Sequence, residues 1–210
     1  MRKLLEPMIE SEAFQALLAR PGPRLARAEV PGHGYVVAAL AAALEAPVMA
    51  VAPGPREADR LARGAAAFLG DESVALFPAW EALPGEGISP SPEIAGRRAE
   101  AAHRARGAKG PFVLTMPVVA AVQRIVPSVG GEEPLHLEAG RELAPDGLAE
   151  FLVDLGYGRT DLVLHRGEFA LRGGILDVFP GTASRPVRLE FLGDEIERVR
   201  EFSPSTQMST

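Results

Sequence analysis

The chain of 210 residues contains no cysteine and no asparagine, and its only lysines are Lys3 and Lys109. Without cysteine there is neither a disulfide framework nor thiolate chemistry. Scarce Asn, Gln and Cys fit a thermophilic origin, and a GC-rich genome would equally favour the Arg, Ala, Gly and Pro that abound here. Long apolar runs are missing too, so no segment reads as a membrane span. Met1-Arg2-Lys3 followed by Glu6 has no signal-peptide core. These absences lead us to expect a cytoplasmic protein without a membrane partner. A basic stripe is also lacking. The formal charge is −6 and acids are interspersed with the arginines, so no direct nucleic-acid binding is expected. The deficit is uneven: residues 134–210 hold 8 basic and 13 acidic side chains, against 14 and 15 in residues 1–133, as suits two units with different jobs.

What is present is a chain 47% hydrophobic, enough for one large or two small packed domains. Residues 4–18 read as an amphipathic helix ended by Arg20-Pro21-Gly22-Pro23, and Leu25–Val30 as a short strand. Pro31-Gly32-His33-Gly34 then leads into an apolar helix running to Leu44. Continuous apolar strands at Val48–Ala52, Val74–Phe77 and Phe112–Met116 alternate with helices at Arg56–Leu69, around Arg97 and around Val122. That alternation implies α/β architecture with a parallel sheet covered on both faces. Ser128-Val129-Gly130-Gly131-Glu132-Glu133-Pro134 marks a boundary. The expected domains are therefore 1–130, a parallel-sheet nucleotide-type fold, and 134–206, a small α+β domain. In the second, a helix over Pro145–Leu155 precedes an antiparallel sheet.

Catalytic equipment is hard to find. A phosphate-binding loop needs glycines whose N–H groups ring the phosphates, a lysine for the β/γ oxygens and Ser or Thr for magnesium. Gly32-His33-Gly34 keeps two glycines, but Tyr35 and Val36 stand where lysine and Ser/Thr belong. The plainer reading is a tight turn into a helix, a degenerate phosphate loop without a cofactor. His33, His103, His136 and His165 are scattered, no H-E-x-x-H or carboxylate cluster has ligand spacing, and no G-x-S-x-G elbow exists, so neither a metal site nor a catalytic residue is expected. Asp194-Glu195 after Gly193 reads as a turn with solvated charges. Asp177, inside the apolar strand Ile175–Phe179, reads as a hydrogen-bonded structural carboxylate. Trp80 reads as a loop anchor, with partner contact as the alternative.

The densest information lies in residues 166–202. Phe169 and Leu171 alternate with Ala170 and Arg172, Gly173-Gly174 interrupts, and an apolar run follows, which is a hairpin signal because primed turns need positive φ. Val187, Leu189 and Phe191 alternate with Arg188, Glu190 and Leu192 in the next strand. Period two puts Arg172, Arg188, Glu190 and Leu192 on the face turned away from the core. An ordinary solvated face with weak Arg–Glu pairs explains this. A docking surface explains it as well, since Leu192 adds an apolar group beside arginines, which are enriched at interface hot spots.

The run Arg-Gly-Glu-Phe-Ala-Leu-Arg-Gly-Gly-Ile-Leu-Asp-Val-Phe-Pro from Arg166, with Arg188-Leu-Glu-Phe and Asp194-Glu-Ile, resembles the UvrB-like module that opens bacterial transcription-repair coupling factors (Mfd). Phe77-Pro-Ala-Trp-Glu-Ala-Leu-Pro84, Ser89-Pro90, Glu93-Ile94 with Arg97, Met116-Pro117-Val118 and Gln123-Arg124 resemble the same family in the same order, so the likeness covers roughly residues 25–206. The resemblance implies a degenerate nucleotide fold of P-loop-NTPase type, followed by a domain that docks the repair protein UvrA. Its contact residues map onto Arg172, Arg188 and Leu192, the last replacing an aromatic residue. Glu168, Phe169, Asp177 and Pro180 match as scaffold. The parent protein would bind RNA polymerase and translocate on duplex DNA with ATP, through segments this chain does not contain, so the fragment itself is expected to be a non-catalytic adaptor. The stop at Thr210 suggests a shortened piece or a stand-alone paralogue. UvrB carries an aromatic-rich hairpin near Leu83–Glu93. Here Pro84–Pro92 is too short for one and has no aromatic side chain, which favours the coupling-factor side. The alternative is a UvrB-like ATP-dependent DNA-binding or helicase fragment, which would need the missing lysine. A further possibility is masking of the arginine face by another part of the parent.

Overall fold

A computed structural model describes residues 2–82, 87, 89–126, 129–131 and 133–209. Parts of two expected loops, Leu83–Glu86 with Ile88 and Pro127, Ser128 and Glu132, lie outside the described residues. The chain divides into two compact units. One holds residues 1–80 and 98–132, and the other residues 81–97 and 133–210.

In the first unit, strands β1 (Pro47–Ala52), β2 (Val74–Leu76) and β3 (Phe112–Pro117) form a parallel sheet in the order β1-β3-β2. The central strand is buried on both faces, as its unbroken apolar run requires. Val113 joins a core with Ala38, Ala42 and Ala65 from helices α3 (His33–Leu44) and α4 (Pro55–Leu69), while Phe112 and Met116 join Phe77, Ala101 and Ala120. Helix α5 (Pro92–Gly107) supplies Ala101 and short α6 (Val118–Val122) supplies Ala120. Cover is incomplete at the edge strand, where Met49 is 64% exposed. Gly34 explains how α3 and α4 approach so closely, because a Cβ there would lie 2.6 Å from the backbone of Gly64.

Two expected elements differ. The first helix is broken into α1 (Glu6–Ile9) and α2 (Glu12–Ala19), because the Ser11 hydroxyl accepts from the N–H of Phe14 and starts a new helix. Leu25–Val30 is not a strand. It is fully exposed at Leu25, pairs with no strand among the described residues, and ends in a 3-10 turn over Val30–Gly32. Extended backbone becomes a strand only when a neighbour takes its N–H and C=O groups.

In the second unit, α7 (Pro145–Asp154) packs Leu148, Ala149 and Leu152 onto one face of a five-stranded sheet, against Phe169, Leu176, Val178, Leu189 and Ile196. The strands are β4 (Gly158–Arg159), β5 (Glu168–Arg172), β6 (Ile175–Val178), β7 (Val187–Leu192) and β8 (Glu195–Glu201), neighbours in that order. All pairs are antiparallel except β4–β5, a two-residue parallel pairing that the sequence did not suggest. Edge strand β8 alternates Glu195, Glu197, Arg198, Arg200 and Glu201, a charged rim of the kind that discourages strand addition. Residues 81–97 are tied into this unit locally. Ser91 donates to the Glu81 carboxylate, and Arg166 lies 3.6 Å from Glu93.

Candidate protein-docking face

The second face of the five-stranded sheet is built by register. Gly173 and Gly174 take φ +54° and +86° in the β5–β6 turn, and this fixes Arg172 opposite Ile175 and Ala170 opposite Asp177. In β6–β7, Ile175 faces Glu190 and Asp177 faces Arg188. In β7–β8, Glu190 faces Arg198 and Arg188 faces Arg200. Two rows therefore cross the sheet side by side. One reads Ala170, Asp177, Arg188, Arg200, and the other Arg172, Ile175, Glu190, Arg198.

The first row is largely interior. Asp177 is fully buried, and Arg188 meets it as a fork, Nε donating to Oδ1 at 2.7 Å and Nη2 to Oδ2 at 2.8 Å. The remaining Arg188 nitrogen, Nη1, donates to the backbone carbonyl of Gln207 at 3.3 Å, and the guanidinium lies 4.7 Å from the centre of the Phe202 ring. Phe202 is buried with Val163, Ala170 and Phe179, so the chain beyond β8 folds back over this face and closes a second small core. Hydrogen bonding to Asp177 lifts the Arg188 pKa above its ordinary value, with burial pulling the other way. Asp177 is thus the hydrogen-bonded structural carboxylate that its apolar strand implied. Arg188 lies on the expected face but is mostly covered there, its side chain only 18% exposed.

The second row stays open. Arg172 keeps half its side chain in solvent while its Nη2 donates to Asp177 Oδ2 at 3.1 Å. Ile175 is exposed, Leu192 is 74% exposed two residues beyond Glu190, and Arg198 approaches Glu190 at 3.8 Å. The result is a partly apolar strip with guanidinium groups along it, firmly backed by the Asp177 cluster. Such a strip suits recognition of carboxylates around a small apolar centre.

Residues 135–210 match the family model for the UvrB interaction domain. The whole chain is similar to transcription-repair-coupling factors. Against that of Mycobacterium tuberculosis it is 41% identical over 98% of its length, covering 17% of the relative. Against that of Bacillus subtilis it is 33% identical over 81% (14% of the relative), and against that of Escherichia coli 34% over 82% (15%). The chain belongs to the transcription-repair-coupling-factor family. It is the UvrB-like module of such factors and spans about a sixth of the relatives it matches.

Elsewhere in this module the motif residues are occupied with packing. Tyr35 packs on Phe68 with ring planes tilted 44° and centroids 4.8 Å apart and donates its hydroxyl to Leu4 O, while His33 Nε2 donates to Ala28 O. Trp80 anchors its loop as expected. Its backbone N–H donates to Gln123 Oε1 at 2.8 Å, and its ring lies 4.3 Å from the guanidinium of Arg98. That arginine was missed in the sequence. It is buried, stacks on Phe77 at 4.1 Å, donates to Pro78 O and Gln123 Oε1, and leaves Nη2 without a partner among the described residues. Burial lowers its pKa. Asp194 and Glu195 are exposed at the β7–β8 turn. No helix among the described residues is long and apolar enough to cross a membrane, and no group of three His, Asp or Glu gathers there to hold a metal ion.

Proposed function

We propose that this module is a non-catalytic adaptor whose second domain, residues 134–206, docks the repair protein UvrA. In the parent protein, that contact recruits UvrA to stalled RNA polymerase in the cytoplasm. ATP-driven translocation on duplex DNA belongs to segments outside this chain, and residues 1–130 act as a nucleotide-type fold without a nucleotide. The observation that carries the reading is the open strip Arg172–Ile175–Glu190 with Leu192, which lies inside the region matching the UvrB interaction domain. Arg172 and Leu192 are its direct contacts, and Arg188 adds the small part of its side chain that stays exposed.

Titration of the chain with purified UvrA tests the proposal. Arg172→Ala should weaken binding by about 1–3 kcal/mol, and Leu192→Ala by about 1 kcal/mol. Unchanged affinity in both variants, each folded as the parent chain, would remove the assignment. Arg188→Ala is the poorer probe because it strips the buried Asp177 of its forked partner. Arg188→Lys keeps a charge there.

A further inference from the structure

The chain after β8 has a feature that docking alone does not explain. Gln207 adopts φ +60°, a left-handed conformation that costs energy for any residue with a Cβ. Its side-chain Nε2 donates to two carbonyls, Val163 O at 3.2 Å and Pro204 O at 2.8 Å. Those acceptors fix the amide orientation and leave Oε1 buried without a donor among the described residues. A strained backbone angle and a buried unpaired oxygen at one residue are two costs, and both persist only where the surroundings hold them. What they secure is visible. The turn from Ser203 to Met208 is closed by Gln207 N–H donating to Ser203 O and Ser203 N–H donating to Met208 O, and it delivers the Gln207 carbonyl to Arg188 Nη1.

We propose that Gln207 is a positioning residue for the docking face. It tacks the segment 203–209 to the Val163 loop and thereby sets the orientation of the Arg188 fork, on which Arg172 and Asp177 also depend. Three anchors act on one guanidinium from different directions: the Asp177 carboxylate in the sheet, the Phe202 ring beneath and the Gln207 carbonyl at the side. Displace the last, and Arg188 can pivot on the Asp177 carboxylate and disturb the Oδ2 that Arg172 shares. The segment thus makes recognition depend on residues that need not touch the partner. This inference rests on the UvrA reading above.

The test measures UvrA affinity for variants that disturb Gln207 by two routes. Gln207→Val opposes the left-handed angle, and Gln207→Glu sets a carboxylate oxygen against the Val163 and Pro204 carbonyls. Each should weaken binding about tenfold, the loss also expected of Arg188→Lys. Gln207→Asn, which tolerates the angle but is one methylene too short to reach both carbonyls, should lose less than Gln207→Glu, because it sets no carboxylate against them. The decisive result is the pairing: Gln207→Glu combined with Arg188→Lys should bind no more weakly than Arg188→Lys alone. Additive losses would mean general damage and overturn the proposal, as would parental affinity in Gln207→Glu while Arg172→Ala is weakened. If Gln207→Val does not fold, Gln207→Glu decides. Parental affinity in Arg172→Ala, Leu192→Ala and Arg188→Lys alike would sink the docking reading itself, a different outcome from either.

Discussion

Each unit keeps an arginine largely covered and set against aromatic side chains, Arg98 on two rings and Arg188 on one, and the two solve the same problem in opposite ways. In the second unit Arg188 faces a buried carboxylate, is forked onto it, and has its pKa raised by that bonding. In the first unit Arg98 meets no carboxylate among the described residues. Two rings, a carbonyl and an amide oxygen stand in for the counter-ion, and burial lowers its pKa. A guanidinium can be kept inside by either arrangement, because its planar, weakly hydrated cation stacks as readily as it pairs. The arrangements differ in what they leave exposed to damage. The ion pair has a charge that becomes an orphan when its partner goes, whereas the stack has none.

Breaking the pair should therefore give the largest effect. Asp177→Ala leaves Arg188 covered and uncompensated, and should destabilise the second unit by about 3–5 kcal/mol, read as faster amide exchange in β6 and β7. The stack should respond differently to size and to charge. Arg98→Ala opens a cavity between Phe77 and Trp80 and should cost about 3 kcal/mol. Arg98→Met refills most of that space without charge and should cost less than half as much. Trp80, the only tryptophan, reports both through its emission during denaturation. Equal losses in the two Arg98 variants would show that charge, and not packing, holds that site. The smallest change should come from Arg172→Ala, whose half-exposed side chain leaves Asp177 with its stronger partner. Stability should move by less than about 0.5 kcal/mol, so any loss of UvrA binding in that variant is a loss of contact.

Much of the second unit could be read from period and turn chemistry. The Gly173-Gly174 hairpin, the side of the sheet on which Arg172 and Arg188 lie, and the structural character of Asp177 all follow from local pattern, because strand alternation and turn angles are local properties. Which arginine would be covered could not be read. Phe202 and Gln207 decide it, residues that meet Arg188 only because the chain reverses after β8. Arg98 was hidden for a similar reason: Arg97 and Arg98 are adjacent in one helix, and only the distant Phe77 and Trp80 tell them apart. The false strand at Leu25–Val30 shows the converse, a local pattern without a neighbour to complete it.

The contact between Gly34 and Gly64 carries a consequence for anyone hoping to install a nucleotide pocket. Lysine and serine at positions 35 and 36 would supply two letters of a phosphate-loop motif whose first glycine position is held by Glu29. They would also take from Phe68 its packed ring and from the Leu4 carbonyl its donor, at the very turn where two helices already touch backbone to backbone. The space such chemistry would need is already filled by packing, and two new letters there would unsettle it before they admitted a ligand.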